Sequence, residues 1–282
     1  MNQDLVKRTR DWTKLLSIFA DLGFDETCGR RPVGEIMEFI PDASTGLPPF
    51  RSALKNIEAR WDLTETRWLH SLRFYFAPVP ALSHGDYIAI KLIPPRSDER
   101  IPGEACIFDP LSTREESIGG VLRFAPRTDE SWDHDKRLLK QTVWQKSDAL
   151  NQLTEERRSQ VIRIFYKYFG LIGNPSEESI TMATVRRVVG KTMAFEHVKV
   201  VNERPIEEVV FYGCVADFIP AWPVLPEPHF LLSFRFAPQS RFDCHYLRRI
   251  NYFLTSSGAS SHAFAQDGEK ERTFSGILTF AD

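Results

Sequence analysis

Hydrophobic residues recur along this chain with two different periods, and the switches between them outline its organisation. Over residues 3–22, Leu5, Trp12, Leu15, Leu16, Phe19 and Leu22 fall at helical spacing, and Gly23 sits where a C-cap belongs. Glu35 to Ile40 then reads as a short strand, Pro41 to Pro49 as turn, and residues 50–60 as a helix. A β run follows at 69–76, 86–93, 104–108 and 117–125, punctuated by Pro94-Pro95 and Pro102-Gly103.

The middle of the chain returns to the helical period. Residues 135–150, 154–169 and 177–189 predict three helices, the second with Thr154 as N-cap and Glu155 and Glu156 in its first turn. Gly190 closes the third. The β pattern resumes at 195–201, 207–218, 229–236, 244–254 and 273–281. Residues 245–254 suit either period, and their correspondence with 86–93 selects strand. Ser256 to His262 reads as a small-residue loop between strands.

The two β runs resemble each other. Leu72-Arg73-Phe74-Tyr75-Phe76-Ala77-Pro78 matches Leu232-Ser233-Phe234-Arg235-Phe236-Ala237-Pro238 at an offset of 160. Gly120-Val121-Leu122-Arg123-Phe124-Ala125 matches Gly276-Ile277-Leu278-Thr279-Phe280-Ala281 at an offset of 156, which holds back through Glu115/Glu271 to Phe108/Phe264. A four-residue change in one loop reconciles the two offsets, and loops tolerate such changes. The pattern is helix then sheet, twice, which predicts an α+β fold: two similar β-rich repeats of antiparallel strands, helices preceding each, packed as an intrachain pseudo-dimer. The expected boundaries are 1–134 for the first repeat and 135–282 for the second, with its helices over 135–190 and its sheet over 195–282.

Composition narrows the function classes. The chain has 282 residues, 42% hydrophobic and 26% charged, enough for a sizeable core and too apolar for global disorder. A formal net charge of −2 lacks the basic excess that phosphate neutralisation demands, so a nucleic-acid partner is not expected. Cys28, Cys106, Cys214 and Cys244 include no Cys-x-x-Cys pair and read as reduced thiols. The N-terminus has no apolar run of signal-peptide length, and no stretch reaches eighteen apolar residues. The expectation is a soluble cytoplasmic protein with no membrane partner.

Chemistry-bearing motifs are sparse. No phosphate-binding glycine loop occurs, no histidine has a second histidine four residues away, and Ser256 to His262 lacks the strand-to-helix elbow of a serine nucleophile. No metal or cofactor is therefore expected. Alternation on the strand places Phe74 and Phe76 on one face and Arg73 and Tyr75 on the other, the pattern of a half-buried core strand. One correspondence stands out: His84, Asp86 and Tyr87 follow the first Phe-Ala-Pro strand, and Asp243, His245 and Tyr246 follow the second. If the repeats face each other, these six residues would line a shared cleft, where a carboxylate near a histidine could hold an anionic ligand. The expected function is an interaction protein, binding or regulating another protein without catalysis, with a homo-oligomer as a further partner class. The competing expectation is an enzyme or small-molecule binder using that cleft.

Overall fold

The structure is a computed structural model; it describes residues 3–25, 32–46, 48–64, 67–76, 89–94, 104–108, 115–116, 119–125, 154–157, 159–160, 163, 188–221, 230–237, 240–255 and 258–281. For 3–10, 104–108, 115–116 and 267 the description is of the backbone alone. Antiparallel β-sheet dominates these residues, and helix is the minor component.

One helix, α1 (Gln3–Asp21), opens the chain. Its end follows from Gly23, which takes φ 85° so that the Gly23 and Phe24 N–H groups reach the Ala20 and Phe19 carbonyls. Strands follow as β1 (Ile36–Pro41), β2 (Phe50–Asp62), β3 (Trp68–Phe76), β4 (Ala89–Ile93), β5 (Glu104–Phe108), β6 (Glu115–Glu116) and β7 (Gly120–Phe124). After the middle of the chain come β8 (Thr192–Val201), β9 (Arg204–Ala221), β10 (Phe230–Phe236), β11 (Arg241–Phe242), β12 (His245–Thr255), β13 (Gly258–Asp267) and β14 (Lys270–Phe280). Of the three helices expected over 135–190, Glu155 to Arg157 is helical and Thr154 Oγ1 accepts from the Arg157 N–H at 3.4 Å, as an N-cap should. Most of that region lies outside the described residues.

The late strands close on themselves: β8 pairs β9, then β10, β12, β13 and β14 follow in turn, and β14 returns to β8. The early strands run β1, β2, β3, β4, β5, β6, and β7 returns to β1. Closure of this kind removes most unpaired edges. A ladder from Asn56↔Gly213 to Asp62↔Glu207 joins β2 to β9 and makes the two groups one sheet.

Residue registers recur between the groups. β2–β3 pairs Leu54 with Phe76 and Asn56 with Tyr75, leaving Lys55 as a bulge; β9–β10 pairs Val215 with Phe236 and Asp217 with Arg235, leaving Ala216. Phe74 faces Ile90 where Phe234 faces Ile250, and Ile90 faces Ile107 where Ile250 faces Ala263. Met37 faces Phe124 where Met193 faces Phe280, and Phe39 faces Phe50 where Phe195 faces Phe211. The paired positions lie 160 residues apart on β3 and β4 and 156 apart on β5. One expected match does not carry into the pairing: Phe108 faces Glu115, whereas Phe264 faces Thr273 and not Glu271.

Two expectations are corrected. Residues 50–60 form β2, not a helix. The Lys55 bulge puts Leu54 and Ile57 on the same core-facing side at a spacing of three, and Trp61 follows at the next helical position, so a kinked strand imitates a helical stripe. Residues 258–262 begin β13 and are not a loop. Its buried positions are Ser261, Ala263 and Ala265, a two-residue period written in small side chains beneath a phenylalanine-filled interior.

Two apolar cores result. Leu15 and Phe19 of α1 pack with Met37, Phe39, Ile57, Phe74 and Phe124; Phe195, Phe211, Phe218, Phe234, Phe242 and Ile250 form the other. Of the phenylalanines in the matched segments, Phe74, Phe76, Phe124, Phe234 and Phe236 are buried, while Phe280 is half-buried beneath Lys191.

Candidate functional site

Side chains from both strand groups meet where β2 lies against β9. Past its bulge, β2 alternates regularly: Ile57, Ala59 and Trp61 face the apolar core, and Asn56, Glu58 and Arg60 face the opposite side. All three polar residues are buried and need partners. Each of the three has a partner 183 to 185 positions later in the chain.

Asn56 Nδ2 donates to the Arg241 carbonyl at 2.9 Å, and Arg241 N–H donates back to Asn56 Oδ1 at 3.0 Å. Asp243 N–H donates to Glu58 Oε2 at 2.6 Å. Arg60 donates through Nε to Glu58 at 2.8 Å, through Nη2 to Asp243 at 2.6 Å and through Nη1 to Glu207 at 3.2 Å. Lys199 Nζ bridges Asp243 at 2.9 Å and Glu207 at 3.0 Å. Arg73, 3.9 Å from Glu58, donates to Cys244 Sγ at 2.7 Å. Three cations thus face three carboxylates.

The turn that delivers Asp243 and Cys244 is strained. Phe242 pairs with His245, leaving a two-residue loop with φ 47° at Asp243 and 71° at Cys244. A tight hairpin of this twist requires positive φ at both positions, which Asp tolerates and Cys adopts at a cost. The Asn56 and Glu58 bonds to this segment hold it there.

The electrostatics follow from burial and pairing. Burial alone would raise the Asp243 carboxyl, but Arg60 and Lys199 outweigh it and hold the pKa at about 2. Burial likewise opposes ionisation of Glu207, and Arg60 and Lys199 again lower it. Burial pushes the Cys244 thiol up despite Arg73, so it is a poor nucleophile near neutral pH. Tyr75, fully enclosed beside Glu58 and Cys244, is pushed well above the usual phenol range. Lys55 on the bulge is 3% exposed, and burial lowers its pKa.

The expected cleft residues have different fates. His84, Asp86 and Tyr87 lie outside the described residues. Asp243 is a member of the charged cluster. His245 stacks on Phe274 with centroids 6.2 Å apart and planes at 26°. Tyr246 lies under the Arg241 and Arg248 guanidinium groups at 5.6 and 5.7 Å. Asp243 and His245 do not share a strand face, because Asp243 belongs to the turn. Among the described residues no group of three His, Cys, Asp or Glu side chains is placed to hold a metal ion. Phe74 and Phe76 are core, and Arg73 and Tyr75 are buried as well, so β3 offers no open face for stacking bases. Sequence reasoning missed Glu58, Arg60, Lys199 and Glu207. The alternation Asn56, Glu58, Arg60 was the signal for the first two, hidden by the helical reading.

No helix among the described residues is long and apolar enough to cross a membrane. Comparison with protein-family models, with curated proteins and with solved structures finds no match to this chain.

Proposed function

We propose that the chain is a non-catalytic interaction protein, built from two copies of one β-rich unit with a boundary near residue 134, that presents a surface of its second half to another protein. The observation carrying this reading is an exposed apolar strip. Ile277 stands opposite Glu196 at the end of the β14–β8 ladder, and Val198 and Val200 continue that face of β8 outward. Their exposures are 53%, 41% and 58%. Single exposed apolar residues are ordinary, but a contiguous group marks a contact surface. The internal pairing of the charged cluster, three cations on three carboxylates, fits a structural junction better than a reactive centre. The recurring registers support the two-copy frame.

The test is affinity capture with the wild-type protein and with a Val198→Lys/Val200→Lys variant of equal melting temperature, followed by binding measurements on the purified partner. A partner bound by the wild type and lost by the variant supports the reading. Capture of the same proteins by both overturns it.

One observation favours the alternative, a small-molecule site between the two halves. The Tyr75 hydroxyl is buried beside Arg73 and Cys244 with no hydrogen-bond partner among the described residues. A carboxylate or phosphate compound that raises the melting temperature of the wild type, but not of Tyr75→Phe, would select this reading.

A further inference from the structure

The exposed strip borders a strand edge that no described strand covers. Thr192 accepts from the Ala281 N–H at 3.0 Å, and β8–β14 pairing continues to Glu196↔Ile277. Alternation therefore directs the backbone groups of residues 192, 194 and 196 towards β14, and those of Val198 and Val200 the same way. Beyond Glu196, β8 stays with β9, whereas the rest of β14 stays with β13. The Ser275 carbonyl, next in line for Val198, is instead contacted by His197 Nδ1 at 2.8 Å. The bulge near the hairpin tip lies on β9, where the partner jumps from Glu207 to Pro205, so β8 itself remains regular.

We propose that this edge, at Val198 and Val200, takes an extended strand of a partner protein as an added β-strand. The proposal rests on the interaction reading above and supplies its mode. Val198 and Val200 offer two N–H donors and two carbonyl acceptors, and their exposed side chains call for apolar, β-branched residues opposite. Lys199 lies between them on the other face, where Asp243 and Glu207 take two of its three N–H donors, so an acidic residue opposite it meets the third. A second copy of this chain is the poorer occupant. Antiparallel pairing of two β8 edges that satisfied all four groups would set Lys199 directly against Lys199, and like charges so placed repel. The partner strand thus reads apolar, acidic, apolar.

The probe is a fluorescein-labelled, amidated Ser-Thr-Val-Glu-Val-Thr-Ser peptide, with Lys in place of its Glu as control. Anisotropy should show saturable binding to the wild type and at least tenfold weaker binding of the control. Val200→Pro removes an edge donor with little demand on an edge strand, and should weaken the peptide at least tenfold, whereas Val200→Ala, which keeps the donor, should weaken it less. Equal binding of both peptides, no binding of either, or no effect of Val200→Pro at unchanged melting temperature overturns the proposal. So does a dimer in sedimentation velocity that Val200→Pro dissociates. If the peptide fails while Val198→Lys/Val200→Lys still loses a captured partner, strand addition falls and the broader interaction reading stands.

Discussion

Arg60 and Asp243, 183 positions apart, meet at 2.6 Å and tie the first strand group to the second. The contact draws its strength from enclosure: the Arg60 side chain is 9% exposed and the Asp243 side chain 17%. Pairs of this kind add little over an apolar packing of the same shape, but losing one partner strands the other. Glu58, itself without exposure, is the third member, and the three stand or fall together.

Asp243 should make folding acid-sensitive. Its carboxyl titrates at about 2 in the folded chain against about 3.9 unfolded, so its stabilisation is full above that unfolded value and is lost as pH falls through 2. The expected contribution at neutral pH is roughly 2 kcal/mol. Asp243→Asn should remove about that amount in urea unfolding at pH 7, and less at pH 3. An equal loss at both pH values would show that charge is not the cause.

Lys55 should titrate in the opposite sense. Burial lowers its pKa below the ordinary value of about 10.4, so the unfolded chain binds the proton more tightly in the window between the two values. Its contribution to stability therefore rises with pH across that window. Lys55→Met should be more stable than wild type at pH 7, with the difference shrinking towards pH 10.5. Melting temperatures at the two pH values check this.

Core truncation should discriminate two phenylalanines. Phe234 has no exposure, and Phe234→Ala should cost about 3–5 kcal/mol. Phe280 is half-buried and should cost distinctly less. Equal losses in denaturant unfolding would contradict the placement of these side chains.

Two glycines should behave as a pair. A Cβ at Gly120 would sit 2.4 Å from the Phe39 ring and 2.7 Å from the Ile40 carbonyl; at Gly276 the neighbours are the Phe195 ring at 2.6 Å and the Glu196 carbonyl at 2.3 Å. Gly120→Ala and Gly276→Ala should each destabilise by about 1–3 kcal/mol. A loss at one position with none at the other would weaken the two-copy proposal.

Much of the strand pattern was legible in the chain itself. Phe74, Phe76, Phe234 and Phe236 announced half-buried strands because side chains on a strand alternate faces whatever the fold around them. Gly23 marked the end of α1 because its φ of 85° suits a residue with no Cβ. The tertiary structure alone decided the rest. The Lys55 bulge turned a helical-looking stripe into β2, since pairing with β3 on one side and β9 on the other outweighs local propensity. The charged cluster was equally hidden, because Glu58 and Arg60 acquire meaning only when a turn some 185 positions away is folded against them. Which backbone groups of β8 no described strand pairs depends on where β14 leaves it, a fact of sheet geometry that no local pattern encodes.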